Sequence, residues 1–244
     1  MRYAYLTDPG ILRDHNEDNV IVVENKNKEI LLAVADGMGG HLCGEIASSI
    51  AITHIADKFR TLDTIGSKEE AEKWIQTTVS EINALIYKYT EDHPDALGMG
   101  TTLVCSIVTK DFLLFGNIGD SSGFAIKDNN IQKITKDHTL VSLLVKSGDL
   151  TEEEAEHHPK KNVLLKALGA TTTVDMDIFD VDPNIDGVLL CSDGMTNLIT
   201  KEQILEIIKE ERPIEARLQK LIFKCNNRGG TDNVSVAYLE RGVE

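Results

Sequence analysis

Six short runs of β-branched and other apolar residues constrain the fold of this chain more than any other feature. They cover residues 19–24, 30–35, 101–109, 112–118, 187–191 and 233–239. Several are almost continuously apolar, a pattern that is typical of strands covered on both faces. The sequence therefore predicts buried sheets with another layer on each side. A composition of 41% hydrophobic and 27% charged residues excludes a disordered chain, a collagen-like repeat and a coiled coil.

Amphipathic segments lie in pairs between these groups of strands. Segments 45–59 and 68–89 each place their apolar residues on one helical face. Thr200 and Gln203 have the spacing of a capping box, and Pro213 can occupy the first position of a further helix. Paired helices disfavour Rossmann and TIM-barrel layouts, in which strands and helices alternate. We therefore expect an α+β fold in which two helical layers flank a β-sandwich.

The chain of 244 residues is long enough for one large domain or two small ones. It contains no internal repeat, low-complexity tract or Pro/Ser-rich linker, so we expect a single domain over residues 1–244. Residues 139–168 differ from the rest, because they contain few apolar side chains and a second capping-box pattern at Thr151 and Glu154. We interpret this stretch as a small flap on the main domain.

The charge of the chain excludes several classes of partner. It has 25 Lys and Arg against 40 Asp and Glu, a net charge of −15. Nucleic acids and anionic membranes bind proteins largely through Lys and Arg, so we expect neither as a partner. No apolar signal segment is visible, and no apolar run approaches the roughly 18 residues of a membrane span. The four cysteines have no paired or zinc-like spacing, which favours reduced thiols in the cytoplasm.

Four aspartates stand beside glycine at the ends of apolar runs, namely Asp36, Asp120, Asp193 and Asp232. One Asp-Gly pair usually marks only a turn. Carboxylates at the ends of adjacent strands, however, would converge and raise one another's pKa. Mg²⁺ or Mn²⁺ would relieve this repulsion, because both ions prefer oxygen ligands. With no zinc spacing and no nucleophile motif, the pattern indicates metal-assisted hydrolysis by an activated water.

A cation lies close to further acids near the start of the chain, where Arg13 precedes Glu17 and Asp18. A lone arginine is usually a surface residue. Beside a two-metal site, however, its planar guanidinium matches the oxygens of a phosphate. We therefore treat Arg13 as a candidate phosphate ligand.

These motifs occur in one order along almost the whole chain, and the ordered set is far more specific than any member. They are Arg13 with Asn16-Glu17-Asp18, Asp36-Gly37-Met38-Gly39-Gly40-His41 with Gly44-Glu45, Gly98-Met99-Gly100-Thr101-Thr102, Gly116-Asn117-Ile118-Gly119-Asp120-Ser121, Asp137-His138, His158-Pro159, Ala167-Leu168-Gly169, Ser192-Asp193-Gly194-Met195-Thr196 and Gly229-Gly230-Thr231-Asp232-Asn233. The set resembles that of the metal-dependent serine/threonine protein phosphatases of type 2C, in their compact bacterial form.

The resemblance implies a four-layer αββα sandwich with two Mn²⁺ or Mg²⁺ ions at one end and a third, weaker ion beside them. Asp36 would bridge the two ions. Asp193 and Asp232 would complete the first site, and the Gly37 carbonyl the second. Asp120, together with Asp193, would hold the third ion.

The resemblance also implies roles for residues around the metals. Glu17 would hold metal-bound waters, with Asp18 nearby, and Arg13 would bind the substrate phosphate. His41 is one candidate donor of the proton that the leaving oxygen needs, and a metal-bound water is the other.

The implied function is hydrolysis of phosphoserine and phosphothreonine by a monomer that counteracts a bacterial serine/threonine kinase. Its partners would be phosphorylated proteins and the kinase itself. Two alternatives stay open: a catalytically silent module that binds phosphoproteins, and another dimetal phosphohydrolase acting on nucleotides or nucleic acid. The complete set of acids disfavours the first. The charge of −15 and the low aromatic content of 5% disfavour the second.

Overall fold

A computed structural model describes residues 1–39 and 43–241, apart from the side chain of Glu156. Within these residues it contains eleven strands and seven α-helices. The strands are β1 (Arg2–Asp8), β2 (Asp18–Glu24), β3 (Ile30–Met38), β4 (Gly100–Thr101), β5 (Leu103–Val108), β6 (Leu113–Ile118), β7 (Ser122–Lys127), β8 (Asn130–Lys133), β9 (Asp177–Val181), β10 (Gly187–Cys191) and β11 (Val234–Glu240). The helices are α1 (Cys43–Thr61), α2 (Lys68–Asp92), α3 (Leu140–Ser147), α4 (Glu152–Glu156), α5 (Asp193–Thr196), α6 (Lys201–Ile208) and α7 (Ile214–Asn227).

The strands form two sheets with antiparallel pairing. One sheet has the order β1-β11-β10-β7-β8. The other has the order β2-β3-β5-β6-β9, and the short strand β4 pairs with β3. The antiparallel register places Asp18 opposite Asp36, so these two acids lie side by side at one end of their sheet.

Strand β3 shows why the apolar runs are continuous. Leu31, Ala33 and Ala35 belong to the core shared with α1 and α2. Leu32 and Val34 point to the opposite face and belong to the core between the two sheets. Because successive side chains of a strand alternate between faces, a strand covered on both sides must be apolar at every position. The four-layer αββα sandwich of α+β class is therefore confirmed.

The helical layers follow the predicted pairs, with longer ends. Helix α1 packs on the second sheet through residues including Ile55 and Phe59, and α2 begins at a capping box formed by Ser67 and Glu70. On the other face, α6 and α7 pack against the first sheet. The capping box of Thr200 is confirmed.

Two features of the chain differ from the sequence prediction. Pro213 lies in extended backbone at the cap position, so α7 begins at Ile214 and Pro213 is not its first residue. Strands β1, β7, β8 and β9 lie outside the predicted runs. Strand β7 contains Gly123, a residue that strands disfavour, but a Cβ there would lie 2.8 Å from Cδ1 of Phe115. Close packing between the sheets therefore overrides the intrinsic preference.

The segment in which a flap is predicted carries the two short helices α3 and α4. Its start and end meet through a bridge between Thr139 and Leu164, and Leu168 pairs with Thr101 of β4. The capping box of Thr151 with Glu154 is present. Among the helices that the structure describes, none has the length and apolarity needed to span a bilayer.

Candidate metal and phosphate site

The sandwich brings the predicted acids together at one end. Asp18 and Asp36 lie opposite each other on β2 and β3. Asp120 follows the end of β6, Asp193 begins α5 two residues after β10, and Asp232 lies two residues before β11. Asp36 is close enough to the other four acids for each of them to raise its pKa. The pattern of acids at strand ends thus corresponds to one cluster in space.

Asp36 is held in place through its backbone. Its N–H donates to Oγ1 of Thr102 at 2.9 Å, and its carbonyl accepts from the Thr101 hydroxyl, also at 2.9 Å. The Thr102 hydroxyl in turn contacts Oγ of Ser121 at 2.9 Å, beside Asp120. These hydroxyl groups fix the ends of β3, β4 and β6 relative to one another, and so leave the Asp36 carboxyl free to face the cluster.

Asp18 is the most deeply buried acid of the cluster, with 4% of its surface exposed. The hydroxyl of Ser192 donates to its Oδ2 at 2.7 Å and accepts the backbone N–H of Ser235 at 2.9 Å. Its Oδ1 is buried without a hydrogen-bond partner. Burial raises the pKa of Asp18 to about 7, since the bond from Ser192 offsets only part of the desolvation and Asp193 and Asp232 repel the charge.

Asp36, Asp120 and Asp193 also have raised pKa values, and burial is the main cause in each case. Burial, reinforced by Asp18 and Asp193, raises the pKa of Asp36 well above its ordinary value. Burial and the charge of Asp193 raise the pKa of Asp120 to about 7. The pKa of Asp193 is raised by burial and by Asp232, although hydrogen bonds with Asp36 and Asn197 lower it. Two carboxyl groups share a hydrogen bond only when one of them holds a proton.

Divalent cations fit this arrangement. Several acids crowd into a poorly solvated space and raise one another's pKa, and Oδ1 of Asp18 is buried without a hydrogen-bond partner. A bound divalent cation would neutralise the repulsion between these carboxylates and leave them ionised. Within residues 1–39 and 43–241, no three Asp, Glu, His or Cys side chains are arranged so that they could hold a metal ion by themselves. Mg²⁺ and Mn²⁺ are compatible with such a site, because hard cations also accept waters and backbone carbonyls as ligands.

Gly37 and Glu17 form one side of the cluster. The Gly37 N–H donates to the Glu17 carbonyl at 3.1 Å, and the N–H of Gly44, in the first turn of α1, donates to the Glu17 carboxylate. A Cβ at Gly37 would lie 2.1 Å from the Gly44 carbonyl oxygen, so only glycine fits there. Burial raises the pKa of Glu17, although Arg13 and Gly44 lower it.

Arg13 lies at the rim of the cluster. Its Nη2 donates to Oδ2 of Asp232 at 2.9 Å, and its Nε donates to the Thr231 carbonyl at 3.3 Å. Half of the Arg13 side chain is exposed, and a guanidinium has five N–H donors, so donors remain for a further ligand. The structure thus places the candidate phosphate ligand beside the candidate metal ligands.

His41, the candidate proton donor, lies outside the described residues. Two polar residues that the sequence analysis gave no role also belong to the site. Ser192 binds Asp18, and Asn233 binds the loop that carries Arg13. Both stand next to predicted acids in the quoted motifs, and this adjacency was the only signal in the sequence.

Comparison with known proteins agrees with the geometry. The family model for protein phosphatase 2C matches residues 13–226. A serine/threonine phosphatase of Listeria innocua is 40% identical over 244 residues, which cover 100% of this chain and 97% of the relative. The structure of the serine/threonine phosphatase Stp1 from Staphylococcus aureus superposes with a TM-score of 0.93 at 33% identity, covering 99% of this chain and 95% of that one.

A further solved structure contains metal. The catalytic domain of the serine/threonine protein phosphatase PstP, in complex with two manganese ions, superposes with a TM-score of 0.86 at 33% identity, covering 98% of this chain and 97% of the other. The fold and the acid cluster define a metal-dependent phosphohydrolase of αββα architecture. The chain belongs to the protein phosphatase 2C family.

Proposed function

We propose that this chain removes phosphate from phosphoserine and phosphothreonine in proteins, with the cluster around Asp36 as its metal site and Arg13 as its phosphate ligand. It is a protein-serine/threonine phosphatase that uses divalent cations, in keeping with its family. The observation that carries the proposal is the group of buried, mutually repelling carboxyls with a half-exposed arginine at their rim.

Asp36, Asp193 and Asp232 would hold two Mn²⁺ or Mg²⁺ ions, together with the Gly37 carbonyl. Asp120 would hold a third ion with Asp193. Bound divalent cations supply positive charge for the phosphoryl oxygens and lower the pKa of water towards 7. The raised pKa values of Asp36 and Asp120 support these roles, because acids that repel one another gain most from a cation.

The residues around the acids would orient the substrate and the water. Glu17, held by the N–H of Gly44, would accept hydrogen bonds from ordered water. Arg13 is bound to Asp232 here. A cation on Asp232 would take over that charge, so the guanidinium could turn its donors to the phosphate. His41 remains a candidate for delivering the proton to the leaving oxygen, and water is the alternative.

The charge of the chain bears on substrate choice. A body of net charge −15 repels a phosphorylated partner at long range, while Arg13 and the cations attract the phosphate locally. Recognition would then centre on the phosphate, and basic residues beside it would help binding. A bacterial serine/threonine kinase would generate such substrates and would itself be one.

Two supporting features concern the state of the protein in the cell. All residues given a role belong to a single chain, which suits a monomer. Cys105, Cys191 and Cys225 are buried free thiols, which suits the reducing cytoplasm.

The direct test is phosphate release from a phosphothreonine peptide with Mn²⁺, with EDTA, and with Asp36→Asn. We expect turnover only in the Mn²⁺ reaction of the wild type. Asp63→Asn is the matched control, because Asp63 is an exposed aspartate that pairs with Lys26 at 2.8 Å on the surface. Its activity should equal that of the wild type. Turnover that survives EDTA or Asp36→Asn would contradict the proposal.

A further inference from the structure

We infer that Asn233 is a positioning residue for phosphate binding: its side chain closes the loop of residues 9–17 and thereby holds Arg13 over the acid cluster. The inference rests on the proposed function, in which Arg13 binds the substrate phosphate. It concerns a residue that stands beside the acid Asp232 but carries no charge of its own.

The amide of Asn233 binds both ends of the loop at once. Its Nδ2 donates to the Pro9 carbonyl and to the His15 carbonyl, each at 2.9 Å. Its Oδ1 accepts the backbone N–H of Glu17 at 2.8 Å. Pro9 follows directly after β1, and Glu17 directly precedes β2. One side chain therefore joins the start of the loop to its end.

Asn233 is itself firmly placed. It is 6% exposed, and its backbone leads straight into β11, which pairs with β1 and β10. Its carbonyl lies so close to Gly194 that a Cβ on that glycine would be 2.0 Å from the oxygen. The amide therefore projects from a rigid part of the sandwich into the loop.

The other contacts that fix the shape of the loop are also polar: the Asn16 amide donates to Oγ1 of Thr7 at 2.8 Å, and the Gly10 N–H donates to Oδ1 of Asp8 at 2.9 Å. The loop contains no helix or strand, and the side chains of Ile11 and Leu12 are 61% and 67% exposed. Its tip is held by backbone bonds from Ile11 and Leu12 to the Gly230 carbonyl, at 2.9 Å and 3.1 Å. Because the apolar side chains at the loop tip are mostly exposed, hydrogen bonds set the position of Arg13, and these include its own bonds to Asp232 and to the Thr231 carbonyl.

Asn233 would therefore affect activity through the position of Arg13, without touching the reacting atoms. Without the amide, three hydrogen bonds that tie the two ends of the loop to Asn233 are lost, and Arg13 loses its alignment with the site that Asp232 helps to form. A displacement of about 1 Å in a positioning group can lower activity about 100-fold. The effect should pass through Arg13, so it should disappear once Arg13 is absent.

The experiment is a double-mutant cycle of Asn233→Ala and Arg13→Ala, with a phosphothreonine peptide at saturating Mn²⁺. We expect Asn233→Ala to lower kcat/KM about 100-fold and to raise the inhibition constant of inorganic phosphate, as Arg13→Ala does. In the Arg13→Ala background, Asn233→Ala should lower activity by less than about threefold further. Asn233→Ser, whose hydroxyl cannot reach all three partners, should follow Asn233→Ala and serves if the alanine variant does not fold.

Asn25→Ala is the matched control. Asn25 is 4% exposed, and its Oδ1 accepts the N–H groups of Asn27 and Glu29, both at 3.0 Å, in the turn at the far end of β2. Its loss should lower the melting temperature but leave kcat/KM and phosphate inhibition near wild type.

Independent losses in the double mutant, or an unchanged phosphate inhibition constant, would each overturn the inference. A wild type that does not hydrolyse the peptide would instead refute the proposed function. The two failures can therefore be told apart.

Discussion

Replacing Asp18 by asparagine removes a buried negative charge while preserving the size of the side chain. The carbonyl oxygen of asparagine can still accept the hydrogen bond from Ser192, which is 2.7 Å long in the wild type. The new amide carries no charge, whereas the carboxylate that it replaces repels Asp193 and Asp232. In the metal-free protein, the substitution should therefore stabilise the fold.

The size of this effect follows from the pKa of Asp18. The folded protein raises it from 3.8 to about 7, chiefly by burial. The folded state therefore holds a proton that the unfolded state releases, and stability falls as the pH rises from about 4 to 7. This pKa difference lowers the free energy of unfolding by about 4 kcal/mol at pH 8, where Asp18 is ionised in both states, and by less than about 2 kcal/mol at pH 5, where the folded state still holds the proton.

Urea unfolding of wild type and Asp18→Asn in EDTA, at pH 5 and pH 8, measures the difference. We expect the variant to be more stable at both values, with a clearly larger gain at pH 8. Saturating Mn²⁺ should stabilise the wild type more than the variant, because the cation relieves a repulsion that the variant lacks. An equal gain at both pH values, or none at pH 8, would refute this account of the cluster.

Two further predictions concern the backbone at the site and the substrate. Gly194→Ala should abolish activity and lower the melting temperature, because the new Cβ would lie 2.0 Å from the Asn233 carbonyl oxygen; a melting curve and activity like those of wild type would contradict the close contact. Phosphothreonine peptides with basic flanks should have a higher kcat/KM than acidic ones, and the difference should shrink at high salt because the chain carries −15. A preference for acidic flanks would oppose this charge argument.

The layers of the fold could be predicted from the sequence because they depend on local patterns. The run of residues 30–35 in β3 is apolar at every position, since both faces of the strand are covered, and a capping residue such as Thr200 marks where a helix begins. Strand β9 was missed because it lies at the edge of its sheet and is only partly buried, so its sequence lacks a continuous apolar run.

Glu17 and Asp18 have no glycine neighbour and were found through the family resemblance. The other acids of the site could be predicted from the residues, because Asp36, Asp120 and Asp193 stand beside glycine at the end of a strand and Asp232 follows a glycine pair just before one. Their supporting contacts could not. Ser192 and Asp18 are 174 positions apart in the chain, and Asn233 lies 216 positions from Glu17. A hydrogen bond over such a separation leaves no periodic pattern, and a buried serine or asparagine has the same appearance in a sequence as one in a turn.

Anomalous scattering from a crystal grown with Mn²⁺ tests the central claim most directly. The account predicts two strong manganese peaks beside Asp36, one also near Asp193 and Asp232 and the other near the Gly37 carbonyl, with a weaker peak at Asp120. Manganese bound only outside this cluster, in a protein that still hydrolyses a phosphothreonine peptide, would contradict it.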